Sequence, residues 1–273
     1  MRADLLNCPP VAIAKTLAGG AGIVDLWYWF YEPDLTDALV ETGVSWITED
    51  ELERYRRFRF ERDRRLFLAT RVLVRDLLSR YAVVAPADWR FVADRAGKPH
   101  VSGPALTPAL HFNLANTSGL VICGVSVAHD ALGVDVERVG RVVDYISLAG
   151  RFFAAAETED LRTLPPERQP QRFFEYWTLK ESYIKAREKG LSIPLDTFSF
   201  RFSGDRHVAI AIDRDQADPP SRWRFWQFSL APDYLAALCA ERIGRDAPRL
   251  VLKKIVPLVS EHDLDSQNLR TSD

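Results

Sequence analysis

The sequence predicts an α+β protein built from two halves of similar design. Three observations predict it. Of the 273 residues, 47% are apolar and 27% charged, with 14 Gly and 16 Pro, the balance of a globular chain with ample material for a core. Between Glu61 and about Tyr81, apolar residues recur at helical spacing. The order strand, helix, strands then occurs twice, in 1–130 and 131–273, which suggests an internal pseudo-duplication with a cleft between the halves.

In chain order, residues 22–31 are rich in aromatic and branched side chains and read as a strand. Thr48 and Glu51 form a capping box, so a helix starts there. In the next helix, Leu66, Phe67, Val72, Leu73, Leu77 and Leu78 lie opposite a face of arginines. Short strands follow near Trp89–Val92, Leu110–Leu114 and Leu120–Val127, separated by Gly97-Lys98-Pro99 and Asn116-Thr117-Ser118-Gly119. The second half opens with a strand at Leu132–Val136 and continues with helices around Tyr145–Phe153 and Arg172–Arg187. Strands are expected at Phe198–Phe202, Val208–Ile212, Trp223–Phe228 and Tyr234–Cys239, with 261–273 polar and frayed.

Lys plus Arg (36) nearly cancel Asp plus Glu (38), so the net charge of −2 recruits neither nucleic acid nor an anionic membrane. The uncharged run Val101–His129 contains Pro104, Pro108, Asn113, Asn116 and Thr117, which rules out a spanning helix. Lys15 and Gly19-Gly20 interrupt the apolar N-terminal stretch, so no signal peptide is expected and the cytoplasm is the expected compartment. Cys8, Cys123 and Cys239 are too scattered for a disulfide framework or a zinc site, and the five histidines lack ligand spacing. A metal here would have oxygen ligands.

Three groups of residues could carry chemistry. In Gly133-Val134-Asp135-Val136-Glu137-Arg138, strand alternation puts both carboxylates on one face, which suits a solvated sheet edge or a hard cation such as Mg2+. In the helix of 172–187, Trp177, Glu181, Ile184 and Lys185 lie together, which sets Glu181 beside the apolar stripe. Its charge is compensated either by Lys185 at i,i+4 or by a metal shared with Asp135 and Glu137. The third group is basic: Arg54, Arg56, Arg57, Arg59, Arg62, Arg64, Arg65, Arg71 and Arg75, followed by Lys98. These residues suit phosphate binding, or else a solvated face neutralised by Glu51, Glu53, Glu61, Asp63 and Asp76. The combination points to phosphoryl-type transfer. Neither a Walker loop, a Gly-x-Gly-x-x-Gly nor a Gly-x-Ser-x-Gly occurs.

At these residues the chain resembles the Sfp-type 4'-phosphopantetheinyl transferases. Gly133-Val134-Asp135-Val136-Glu137 and Trp177-Thr178-Leu179-Lys180-Glu181-Ser182-Tyr183-Ile184-Lys185-Ala186 are similar to the two signature motifs of that family. The resemblance extends to Arg56-Arg57-Phe58, Val72–Arg75, Gly97-Lys98-Pro99, His111–Leu114, Arg151-Phe152-Phe153 with Glu157, and Gly190–Leu195.

The resemblance implies two pseudo-symmetric α+β halves of the 4'-phosphopantetheinyl transferase fold, each a small antiparallel sheet packed on a long helix, with coenzyme A between them. The implied reaction moves 4'-phosphopantetheine from coenzyme A to a serine of an apo acyl or peptidyl carrier protein, releasing adenosine 3',5'-bisphosphate. By the same resemblance Asp135, Glu137 and Glu181 hold Mg2+, Glu181 or a metal-bound water takes the serine proton, and Lys185 assists the departing phosphate. Arg54, Arg59, Arg65, Lys98, Asn116 and Lys180 are the implied coenzyme A contacts. Two departures stand out: Ala115-Asn116 replaces a Ser-His pair, and Glu51 replaces a lysine. Asn116 can donate only a neutral hydrogen bond.

A monomer is expected, with a carrier-docking surface near Val139–Phe153 that includes Arg141 and Arg151. The client pathway stays open among polyketide, nonribosomal peptide, fatty acid and lysine biosynthesis. Two other readings stay open: a homologue that grips a carrier or coenzyme A without catalysis, and a Mg2+-dependent phosphohydrolase using the same acids.

Overall fold

The structure, a computed structural model, describes residues 22–272 apart from 96, 107, 141–143, 188–192, 214–217, 244–247 and 265–267. The expectations for Cys8, Lys15, Gly19-Gly20, Arg141 and Gly190-Leu191-Ser192 lie outside the described residues. The chain divides into two units. One comprises the described residues of Met1–Asp94, Pro99–Ala128 and Arg249–Asp265; the other those of Arg95–Lys98, His129–Pro248 and Ser266–Asp273. A switch at 128/129 lies close to the expected join near residue 131, but segments on either side of it belong to the other unit.

In the first unit, β1 (Ile23–Phe30) is followed by the helices α1 (Tyr31–Asp34), α2 (Asp37–Trp46), α3 (Glu49–Arg57) and α4 (Glu61–Tyr81). The strands β2 (Arg90–Ala93), β3 (Pro99–Gly103), β4 (His111–Thr117) and β5 (Leu120–Ser126) come next. Thr48 accepts from the Glu51 amide and the Glu51 carboxylate accepts from the Thr48 amide, so α3 begins on the expected capping box. Leu68, Val72, Leu73 and Leu77 of α4 are fully buried against Trp27, Trp29, Val121 and Cys123 of the sheet. Gly119, at φ 85°, makes the tight turn between β4 and β5, a conformation that a Cβ disfavours. Tyr81 at the end of α4 donates to buried Asp25 on β1 at 2.6 Å and accepts from Trp27 at 2.7 Å, which fixes the helix end on the sheet.

In the second unit, β6 (Leu132–Arg138) leads to α5 (Tyr145–Phe152), α6 (Ala155–Thr163) and α7 (Gln169–Ala186), then β7 (Phe198–Ser203), β8 (His207–Ile212), β9 (Trp223–Ala231) and β10 (Tyr234–Glu241). Three further strands follow in the chain: β11 (Arg249–Val256) and β12 (Ser260–Leu264), which belong to the first unit, and β13 (Asn268–Thr271), which belongs to the second. The first sheet runs β12-β11-β1-β5-β4 and the second β6-β10-β9-β13-β8-β7. Each departs from the expected antiparallel pattern by one parallel pair, β1 with β11 and β13 with β8. Among the described residues of 261–273 the expected fraying is incorrect: β12 pairs with β11, and β13 lies between β8 and β9. Polar composition conceals these strands because ladder hydrogen bonds are made by the backbone whatever the side chain.

Candidate functional site

Strand alternation on β6 puts Gly133, Asp135 and Glu137 on one face. A Cβ built on Gly133 would stand 2.0 Å from the Ser182 carbonyl oxygen and 2.4 Å from the Ala186 amide nitrogen. The strand therefore touches the backbone of α7 there, and the face that carries Asp135 is the face turned to the helix. Only a residue without a side chain permits this approach. α7 is buried almost all round, with Phe173, Phe174, Tyr176, Leu179, Tyr183 and Ile184 in the core. Trp177, Glu181 and Lys185, at i, i+4 and i+8, form a half-buried row along it.

Close approach and alternation together bring Asp135, Glu181 and Lys185 into one cluster. The Lys185 ammonium lies 2.6 Å from Asp135 Oδ1. Of the two compensations considered for Glu181, the i,i+4 pair with Lys185 is not the one formed, since the lysine reaches across to the strand. Asp135 Oδ2 is buried and makes no hydrogen bond. Burial raises the Asp135 carboxyl, and Lys185 opposes that shift. Glu181 is also raised, first by burial and then by the charge of Asp135, with Lys185 again lowering it.

Lys98 donates to the Leu132 carbonyl at 3.2 Å and to the Lys185 carbonyl at 3.5 Å. Its ammonium sits where β6 starts and α7 ends, at the negative end of the helix dipole.

The donor set here is all oxygen, which suits Mg2+, and the unsatisfied Asp135 Oδ2 beside a second raised carboxyl is the kind of penalty a cation removes. Among the described residues no three His, Cys, Asp or Glu side chains gather into a group able to hold a metal. Mg2+ commonly takes one or two carboxylates with substrate phosphates and water, and needs no all-protein cage.

Lys180 requires a correction. Its side chain and that of Glu157 are both fully buried and lie 2.7 Å apart, and the ammonium also donates to the carbonyls of Leu195 and Phe198 at 2.7 Å. Glu157 in turn accepts from the amides of Phe200 and Ala154. Lys180 is a core ion pair, not a coenzyme contact; it lies 100° around the helix from Glu181, on the inward side.

The remaining basic residues belong to the first unit, as does exposed Asn116 on β4. Most of the arginines form the neutralised face considered above: Arg57 pairs with Glu53, Arg64 with Glu61, Arg62 with Asp63, and Arg71 and Arg75 with Glu51. Arg65 donates to the Leu35 carbonyl, while Arg54 and Arg59 stack over Phe67 and Phe60. Glu51, the residue in place of a lysine, is thus the anion that neutralises fully buried Arg75, at 2.5 Å.

Sequence reasoning missed what holds α7 in place. Asp218 accepts from Tyr183 at 2.6 Å and Trp223 at 2.9 Å and pairs with Arg187 at 3.3 Å. No periodicity marks Asp218, which lies in neither a helix nor a strand. Gly133 was in view as part of a motif, and a glycine opening an acidic strand motif is itself a signal of close backbone approach.

Comparison with known proteins bears on these same residues. A family model described as the 4'-phosphopantetheinyl transferase superfamily matches 131–239, and one described as 4'-phosphopantetheinyl transferase, N-terminal, matches 33–127. The chain is 34% identical over 200 residues to the 4'-phosphopantetheinyl transferase Sfp of Bacillus subtilis, covering 73% of this chain and 84% of that protein. It is 35% identical over 164 residues to the 4'-phosphopantetheinyl transferase HetI of a Nostoc species, covering 60% and 69%. With the transferase psf-1 of Bacillus pumilus, identity is 33% over 203 residues, covering 74% and 82%.

Proposed function

Because this chain belongs to the 4'-phosphopantetheinyl transferase superfamily and transfers 4'-phosphopantetheine to carrier proteins, we propose that the cluster of Asp135, Glu181 and Lys185 is where that transfer occurs. The observation that carries this reading is the buried, unsatisfied Asp135 Oδ2 beside a second raised carboxyl, with Lys185 paired to Asp135. Coenzyme A is the donor: the carrier serine oxygen bonds to the phosphorus bearing pantetheine, and the bond to adenosine 3',5'-bisphosphate breaks.

In this reading Asp135, Glu137 and Glu181 would hold Mg2+. When bound, the ion neutralises the pyrophosphate charge that otherwise repels a nucleophile. Glu181 accepts the serine proton, a role for which a raised carboxyl is better suited than an ordinary one. Lys185 donates to the departing phosphate oxygen. Lys98, Arg54, Arg59, Arg65 and Asn116 are the proposed contacts for coenzyme A, carried over from the resemblance. In this reading the protein acts as a cytoplasmic monomer of the holo-carrier-synthase type.

Incubation with coenzyme A, Mg2+ and an apo carrier protein should add the mass of one phosphopantetheinyl group to the carrier. Chelation of the metal should stop this. Glu181→Gln should lower transfer by about a hundredfold or more with the fold retained, as circular dichroism would show. Normal turnover by that variant would displace Glu181 from its role.

A further inference from the structure

β13 lies inside the second sheet, between two strands that belong to separate hairpins. β9 pairs with β10 and β8 with β7, and the hydrogen bonds joining these hairpins run through β13. The register sets Arg270 opposite Gln227 and Thr271 opposite Trp226 on β9, and Thr271 opposite His207 on β8. The seam is also pinned by side chains: Ser272 Oγ accepts from the Phe225 amide at 2.9 Å.

Arg270 is the charged residue of this strand, and it is 9% exposed. Its guanidinium donates to Gln227 Oε1 at 2.9 Å, pairs with Glu175 Oε1 at 3.1 Å and lies 4.3 Å from the centre of the Phe202 ring. Gln227 in turn donates to the Glu175 carbonyl at 2.8 Å and to Thr178 Oγ1 at 3.2 Å. Both routes from Arg270 therefore end on α7, one at the Glu175 carboxylate and the other, through Gln227, at the helix backbone.

Most of the surface that α7 turns to the sheet is aromatic or aliphatic, a surface that holds a helix in place without fixing where along its axis it stops. Several directional contacts fix it: Lys180 donates to the Phe198 carbonyl at the start of β7, Tyr183 donates to Asp218, Lys185 pairs with Asp135, and two further contacts bracket Glu181 along the axis. At one end Gly133 touches the backbone at Ser182 and Ala186. At the other, the Arg270–Gln227–Glu175 network holds the stretch from Glu175 to Thr178. Glu181 lies between these two places, about 9 Å along the axis from Glu175 at 1.5 Å per residue. A buried polar network of this kind specifies one register where apolar packing tolerates several.

The geometry points to Arg270 as a positioning residue for the transfer reaction: the β13 strand sets the axial position of α7 and hence where Glu181 and Lys185 stand against Asp135. This inference rests on the transferase reading above. Arg270 touches neither substrate nor metal ligand; it acts through the helix.

The test compares the full-length protein with Arg270→Gln and with Arg270→Gln/Glu175→Gln, which removes both charges of the contact; Arg172, the other partner of Glu175, keeps its pair with Asp160. At a temperature where each is fully folded, Arg270→Gln should lower kcat for carrier modification about tenfold while KM for coenzyme A changes less than about twofold, and the double variant should recover most of the loss. A lower melting temperature with kcat of the folded protein unchanged would reduce Arg270 to a structural role and overturn the inference.

If Arg270→Gln fails to fold, Arg270→Lys keeps the charge against Glu175 without the two-pronged reach, and should lower kcat about threefold. An unchanged kcat there counts equally against it. If the unsubstituted protein modified no carrier, the transferase reading would fail by itself. The placement of α7 would then be read by hydrogen exchange: amides 178–186 should exchange faster in Arg270→Gln, and unchanged exchange would sink the positioning role.

Discussion

Lys180 and Lys185 lie five positions apart on one helix and have opposite environments. Lys185 is partly exposed and reaches the strand acid Asp135. Lys180 is fully buried on Glu157, and burial pushes the two in opposite directions, the acid up and the lysine down. Each is tolerable only with its partner, because an unpaired buried charge is far more costly than a paired one. Lys180→Met should therefore destabilise the protein by about 3–5 kcal/mol in urea unfolding. Adding Glu157→Gln should return part of that loss, since no buried anion then remains and the amide still accepts from Phe200. A loss below about 1 kcal/mol for the single change would mean that the pair is loosely held. The sequence marks both lysines by the same helical pattern; a half-turn of rotation separates a core residue from a site residue, and only tertiary packing decides it.

At the scale of elements, the contact between β6 and α7 governs the site. Glycine at 133 lets the strand backbone meet the helix backbone, and neither can yield as a side chain would. Gly133→Ala should cost at least the ~1–3 kcal/mol of an overpacked core and should lower carrier modification in the fraction that folds, as thermal melting and a mass assay would show. Melting and activity equal to those of the parent protein would contradict the contact. Elements with strong local signals were legible: the capping box at Thr48, the long helix 61–81 and the strands 198–203 and 234–241 all follow from periodicity and cap chemistry. α6 was not, because Ala155–Thr163 is short and polar and its first turn is fixed by the Glu157 carboxylate on the Ala154 amide.

For the whole molecule, the strands after residue 248 were the least legible part. β11 pairs with β1, which lies at the other end of the chain, and β13 carries an arginine whose burial makes sense only once Glu175 is opposite it. Long-range partners leave no local trace in composition. Removing residues 266–273 should leave β8 and β9 with bare edges in the second sheet. The expected outcome is a lower melting temperature and self-association in size-exclusion chromatography; a monomer with the parent's melting temperature would show that β13 is dispensable. The acids of the site were legible as residues, whereas their grouping was not, because strand alternation fixes a face and says nothing of which helix covers it.

The seam filled by β13 also bears on how the molecule is born. A ribosome emits the chain in sequence order, so both hairpins flanking the seam leave the exit tunnel well before the strand that joins them. Nascent protein must hold two sticky borders apart during that interval, when a neighbouring polypeptide could pair with either one. Yield in a cell should therefore respond to elongation speed and chaperone supply more than the finished protein's stability would suggest.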